Sequence, residues 1–268
     1  MSDQKNGAVG PALGLHRDGA LAVVIADNPG RMNAFTAAMW AAIPGAIAEA
    51  EADPEVRVII LRGAGEKAFS AGADISEFEG ARTGDKAKAY DALNHAAFAA
   101  IMHAQKPVIA MIHGHCLGGG LGIAACCDLR IADEAAQFAI PAAKLGLGYN
   151  PRWVGPLLAL ASASRVKELL FTGRRFNAAE ALAMGLVDRV VPAAELERTV
   201  KALAAEIAAN APLSVKAAKA AIDELTRRPA SPDLARLDAV IEACFASEDY
   251  AEGRRAFLEK RKPQFKGR

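Results

Sequence analysis

One stretch restricts this chain more than any other: KPVIAMIHGHCLGGGLGIAACC, residues 106–127. It opens on a continuous apolar run, which reads as a buried strand. It closes on an apolar segment through Cys127 that has the pattern of a helix. Between them lie Gly118, Gly119, Gly120 and Gly122. A strand that turns into a helix through glycines points to a layered fold of strands and helices. The corner itself is open to two readings. Small residues let a helix pack closely on a sheet. Alternatively, the unpaired N–H groups at a helix start, at the positive end of its dipole, make a hole for an oxyanion. Such a hole usually has two donors, and SAGADI, residues 70–75, is a second small-residue loop after a strand.

Nucleotide-binding alternatives fit poorly. Gly120-Leu-Gly122-Ile-Ala-Ala125 matches G-x-G-x-x-A, but that fingerprint needs an acid about 20 residues further on. Asp128 comes too early, and no clear second parallel strand follows. No Gly-Lys-Ser/Thr follows the glycines, as a phosphate-binding loop would require.

The remaining chain reads as a strand-and-helix core to Pro192 and a helical part from Ala193 onward. LGLHRDGALAVVIAD predicts a hairpin turning at Asp18-Gly19. FTAAMWAAIPGAIAEAEAD predicts a helix capped by Thr36 and kinked at Pro44. VRVIILRG is a buried strand, KAFSAGADISEFEG a loop, KAYDALNHAAFAAIMHAQ a helix. DLRIADEAAQFAIP reads as one edge or paired strand, and LVDRVVP as another strand. Asn177 with Glu180 forms a capping box. With 52% hydrophobic and 24% charged residues, the 268-residue chain has the material for a sizeable core. A net charge of +1 argues against nucleic acid or a membrane surface as partner. Cys116, Cys126, Cys127 and Cys244 lack metal-ligand spacing and read as free thiols in a reducing compartment. MSDQKNGAVG has no apolar segment, and no apolar run reaches about 18 residues, so a cytoplasmic location is expected.

Taken in order, KAFSAGADISEF, KPVIAMIHGHCLGGGLGIAACCDLRIA and GRRFNAAEALAMGLVDRVVP resemble the crotonase superfamily, the enoyl-CoA hydratase/isomerase family. The resemblance runs from NPGRMNAF to EGRRAFLEKRKPQFKGR. It implies an α/β fold of ββα units coiled into a superhelix over residues 1–192, and a helical oligomerisation region over 193–268 that builds trimers or hexamers. It implies an acyl-CoA thioester substrate, with coenzyme A part of that substrate, and no separate cofactor or metal. On the matching motifs, Ala73 and Gly119 would supply the oxyanion-hole N–H groups. Ala71, Asp74 and Ile75 would line the adenine and pantetheine path. Arg31 and Lys67 fall where the family often keeps cations near the CoA phosphates. Phe257 and Lys260 fall where the C-terminal helix closes over CoA.

The chain departs from the family's hydratases at two positions. Hydration of an enoyl thioester needs a general base for water and an acid for the α-carbon. Two glutamates do this in the family, and their positions here are Gly122 and Ala142. The chain is therefore expected not to be a standard hydratase. Tyr149 is the best polar candidate left. Decarboxylases of malonyl-type thioesters in the family also lack both glutamates and have a matching tyrosine, although they carry histidine where this chain has Ala73. A non-catalytic acyl-CoA-binding subunit is the rival from outside enzymology. Asn150 stands where dehalogenases of the family place an aspartate, and an amide cannot serve as that nucleophile. His95 and Trp153 are further candidates to face the acyl group. His113 and His115 alone do not make a metal site, and Asp128 reads as structural.

Overall fold

The computed structural model describes residues 11–77, 85–227 and 233–268. A hairpin opens the fold: β1, Ala12–Asp18, pairs antiparallel with β2, Leu21–Asp27. Asp18 is still paired, with Leu21, so the two-residue loop is Gly19-Ala20, one residue later than expected. Gly19 takes a φ of +60°, the left-handed region its lack of a side chain allows. Helix α1, Ala37–Ala52, follows, and the Thr36 hydroxyl accepts from the Met39 N–H at 3.2 Å. Pro44 lies inside α1, which runs on through it to Ala52.

Three consecutive units then share one pattern. Each sends a strand into a large sheet, a short strand into a small sheet, and a helix back across. The first unit is β3, Val58–Gly63, β4, Ala68–Ser70, and α2, Asp85–Met102. The second is β5, Val108–Ile112, β6, His115–Leu117, and α3, Gly119–Cys126. The third is β7, Leu129–Asp133, β8, Gln137–Ala139, and α4, Pro151–Leu160. Helix α5, Ala163–Thr172, strand β9, Phe176–Asn177, helix α6, Ala178–Met184, and strand β10, Arg189–Val191, complete the sheets. Asn177 and Glu180 cap α6 reciprocally, both bonds at 2.9 Å.

The large sheet has the order β1-β2-β3-β5-β7-β10, parallel except for the first pair. The small sheet has the order β4-β6-β8-β9, with β4, β6 and β8 parallel. DLRIADEAAQFAIP is thus two strands, not one. β7 is interior, between β5 and β10, and β8 turns away into the small sheet.

Burial on both faces explains the unbroken apolar runs. Ile59 and Leu61 of β3 and Val108, Ala110 and Ile112 of β5 pack with Met39, Ile43 and Ile47 of α1 and with α2. The alternate residues Val58, Ile60, Ile109 and Met111 pack on the opposite face with Leu196, Val200 and Ala204. Those three belong to α7, Leu196–Ala208. The core of residues 1–192 is therefore closed by a helix from the region after Ala193. Helices α8, Pro212–Arg227, α9, Leu234–Phe245, and α10, Glu248–Leu258, follow. No helix among the described residues is long and apolar enough to cross a membrane.

Asn33 joins these layers. It is 1% exposed, with φ +55°. Its amide donates to the Ala64 and Ala68 carbonyls at 2.9 and 2.7 Å, and its carbonyl accepts from the Asn28 N–H at 3.1 Å. Asn33→Ala leaves these buried groups unpaired, and the protein is expected to lose about 3 kcal/mol in denaturant unfolding. A loss under about 1 kcal/mol would show that water or neighbouring groups replace the amide.

Candidate active site

Because β4, β6 and β8 are parallel neighbours, their C-terminal ends lie along one edge of the small sheet. The loops that leave them are 71–74, 118–119 and 140–149. The first is held by Phe35, whose N–H donates to the Gly72 carbonyl at 2.7 Å and whose carbonyl accepts from the Asp74 N–H at 2.9 Å. Phe35 and Ala73 form a parallel bridge. Successive N–H groups of extended backbone point to opposite sides, so the Ala73 N–H faces away from Phe35. The second loop is held by the Gly118 N–H, which donates to the Ala139 carbonyl at 2.7 Å. Gly119 begins α3, where an N–H has no acceptor within the helix. Among the described residues neither the Ala73 N–H nor the Gly119 N–H has a hydrogen-bond acceptor.

These two loops nearly touch. A methyl group on Gly119 would lie 3.7 Å from the Ala73 nitrogen. One on Gly72 would come within 2.9 Å of the Gly119 nitrogen and 2.8 Å of the Leu117 oxygen, and Gly72 has a φ of +94°. Two free N–H groups thus stand side by side at the positive end of a helix.

Asp74 anchors the first loop. It is 5% exposed, and its Oδ1 accepts from the Ser76 N–H, the Ser76 hydroxyl and the Arg31 guanidinium at 3.0, 2.7 and 2.9 Å. Burial alone would raise this carboxyl, but the Ser76 bonds and Arg31 outweigh it and hold it below the usual carboxylate range. Ala71 is half-buried, with its N–H on the Met32 carbonyl at 2.9 Å. Ile75 opens the short turn Ile75–Glu77, and its side chain lies outside the described residues. Lys67 is exposed at the opposite end of β4, where its carbonyl accepts from the His115 N–H. The structure does not bring it to the 71–74 loop. Lys260 is exposed beyond α10, and the Phe257 side chain lies outside the described residues.

Aromatic rings occupy the space beside position 122. A methyl group on Gly122 would meet Phe98 Cζ at 2.7 Å and the Tyr149 hydroxyl at 3.4 Å. Ala142 is buried in the turn Pro141–Leu145. The ring pairs Phe35–Trp40, Trp40–Phe98, Phe98–Trp153 and Tyr149–Trp153 stand 4.7, 5.8, 5.8 and 5.6 Å apart, centroid to centroid. Trp40 begins this wall 3.0 Å from where a Gly119 Cβ would be, and its Nε1 donates to the Tyr90 hydroxyl at 3.1 Å. The Tyr149 hydroxyl is buried without a partner. Burial, with Cys126 nearby, pushes this phenol above its ordinary range, so it remains a neutral O–H donor at physiological pH. Trp40, Tyr90 and Phe98 were not singled out from the sequence. Their only signal was the spacing of Tyr90, Asn94 and Phe98 along one helical face.

The other candidates are placed elsewhere or used structurally. His95 is exposed on α2, while Asn94 and Phe98 of the same helix are buried. Asn150 caps α4, accepting from the Arg152 N–H at 3.0 Å. Asp128 accepts from the Val108 N–H at 2.7 Å and pairs with Lys219. His113 is buried, and desolvation, with Arg62 nearby, lowers its pKa to about 4. No group of three His, Cys, Asp or Glu side chains among the described residues is placed to hold a metal ion. None of the four cysteines is in a disulfide, and Cys116, Cys126 and Cys127 are buried.

Comparison with known proteins gives the chain's family. A family model described as enoyl-CoA hydratase/isomerase matches residues 16–268. The chain is 40% identical to a short-chain-enoyl-CoA hydratase of Clostridium acetobutylicum, over 95% of this chain and 97% of that one. It is 36% identical to the carnitinyl-CoA dehydratase of Salmonella typhi, over 96% and 99% of the two chains. A crystal structure of an enoyl-CoA hydratase/carnithine racemase from Magnetospirillum magneticum superposes with a TM-score of 0.92 at 39% identity, covering 96% of each chain. With a match over nearly its whole length and a fold of the same kind, this chain belongs to the enoyl-CoA hydratase/isomerase family of the crotonase superfamily, whose members named here are enzymes of CoA thioesters.

Proposed function

We propose that the protein stabilises the enolate of an acyl-CoA thioester without the two-carboxylate chemistry of hydration. The observation that carries this reading is the pair of unpaired N–H groups of Ala73 and Gly119. A thioester oxygen set between them accepts from both, and the bonds strengthen as negative charge collects on that oxygen. The start of α3 adds a favourable dipole. Hydration would further need an acid and a base, and Gly122 and Ala142 provide neither. The proposed CoA path follows Ala71, Asp74 and Ile75, with Arg31 as the near cation and Phe257 and Lys260 closing over it from this or a neighbouring subunit. Lys67, at the far end of β4, is left out. Homotrimers or hexamers are proposed to form through α8–α10, on which Ile222, Leu225, Leu234 and Phe245 are exposed.

The Tyr149 hydroxyl favours a second, narrower reading: decarboxylation of a malonyl-type acyl-CoA. The bond from the α-carbon to the carboxylate breaks, its electron pair enters the enolate, and CO2 leaves. The α-carbon then takes a proton, from water or by way of the neutral Tyr149 hydroxyl. No general base is required, which suits the missing glutamates. A silent acyl-CoA-binding subunit is excluded by any changed thioester product.

Three outcomes are expected. Purified protein that binds CoA leaves the conjugated absorbance of crotonyl-CoA unchanged, and rapid hydration would overturn the reading of Gly122 and Ala142. Gly119→Asp, with its fold verified by circular dichroism, lowers turnover across an acyl-CoA panel by about 100-fold or more; undiminished turnover removes Gly119 from the hole. Gly122→Ala drives a methyl group against the Phe98 ring and lowers stability by about 1–3 kcal/mol, which Phe98→Leu in the same chain restores. Equal stability of Gly122→Ala and the parent protein would mean that the ring yields freely.

A further inference from the structure

A cavity of about 320 Å³ lies at the N-terminal ends of β3 and β5, whereas the candidate active site gathers at the C-terminal ends of β4, β6 and β8. Arg57, Lys106, Lys216 and Lys266 line it, and Glu51 is the one carboxylate in its lining. Val56, Pro107, Ile207 and Leu213 give it an apolar side.

The cations come from separate stretches of the chain that meet here. Arg57 precedes β3, and its Nη1 lies 2.8 Å from where a Gly267 Cβ would be, with Pro212 Cγ at 3.6 Å from the same point. Lys216 stands near the start of α8. The tail carrying Lys266 is tied to α10, because the buried Asp249 carboxylate accepts from the Lys266 and Gly267 N–H groups at 2.6 and 2.7 Å. Lys106 is already engaged, donating to the Ala50 and Asp53 carbonyls at 2.9 and 2.6 Å. The acids close by are engaged as well. Glu51 accepts from the Gln105 and Lys106 N–H groups, and Asp53 and Glu55 pair with Arg17. Among the described residues, the side chains of Arg57, Lys216 and Lys266 have no hydrogen-bond or ion-pair partner. An adjoining cavity of about 500 Å³, which shares Lys216, shows the contrast: its other cations, Lys219 and Arg236, are paired with Asp128 and Glu224. Three unpaired cations around a concave, partly apolar wall concentrate positive potential inside it.

We propose that this cavity binds a phosphate monoester, with the phosphate on Arg57, Lys216 and Lys266 and the organic group on the apolar side. A carboxylate answers only one of the three cations. A phosphate ester carries about −1.5 to −2 charges at pH 7 and three acceptor oxygens. The planar guanidinium takes two of those oxygens, and the ammonium groups act as point charges. The site is apart from the proposed CoA path and does not rest on it.

The test is calorimetry with three probes: phenyl phosphate, inorganic phosphate without an organic group, and benzoate with the same ring but a single charge. It is run on the full chain, with and without saturating CoA, whose own phosphates belong to the other path. Phenyl phosphate is expected to bind about tenfold more tightly than benzoate, several-fold more tightly than inorganic phosphate, and equally with CoA present. Arg57→Gln and Lys216→Gln are each expected to weaken it about tenfold, while Lys216→Arg and Arg31→Gln leave it unchanged. Lys216 and Arg31 are surface groups, so the comparison among their variants separates lost charge from lost fold. Absence of phenyl phosphate binding at about 10 mM overturns the proposal. So does benzoate or inorganic phosphate binding as tightly, displacement by CoA, or affinity that survives both glutamine substitutions.

Discussion

Everything at this site depends on how closely the backbone after β4 approaches the start of α3. Gly72 comes so near Leu117 and Gly119 that a Cβ would collide with backbone atoms. Gly120 is just as constrained, since a Cβ there would meet the Ser70 oxygen at 2.7 Å. This contact places two N–H groups together and denies them ordinary partners. It also dictates the arrangement behind it. The small-sheet strands must be parallel neighbours so that their ends coincide, and each must be delivered by a large-sheet strand buried on both faces. Helices α1 and α2 on one face and α7 on the other supply that burial.

The parts of this arrangement that are large and apolar were legible in the sequence. VRVIILRG and KPVIAMIHG announce strands because double-sided burial leaves no polar alternation to obscure them. The three-residue strands β4, β6 and β8 were not legible as such, because so short a segment has no period to read. For the same reason DLRIADEAAQFAIP concealed a change of sheet between Asp133 and Gln137. The hairpin turn was misplaced by one residue, since Asp18-Gly19 and Gly19-Ala20 differ only in whether Asp18 remains paired.

Within the site, the backbone features were easier to foresee than the side chains. Glycines stand out in a sequence, and so does the lack of a carboxylate at 122 and 142. What fills that space does not stand out. Phe98 and Trp40 resemble ordinary core residues of Ala-rich helices, and only the fold brings one against Gly122 and the other against Gly119. Asn94 gave still less away, because its amide nitrogen is buried without a partner, and that is a property of three dimensions. His95, its exposed neighbour, was the more conspicuous residue and faces the other way.

The repeated unit has a consequence for how such a protein can change. Three equivalent strand ends meet at one edge, yet they hold different kinds of equipment. The first two contribute peptide groups, which no ordinary substitution removes while the fold persists. The third, together with the body of α3, contributes side chains, which a single codon can exchange. A pair of unpaired peptide N–H groups is therefore inherited with the architecture, and the side chains beside it are free to drift. In this chain position 122 carries no side chain, and the rings of Phe98 and Tyr149 stand against it.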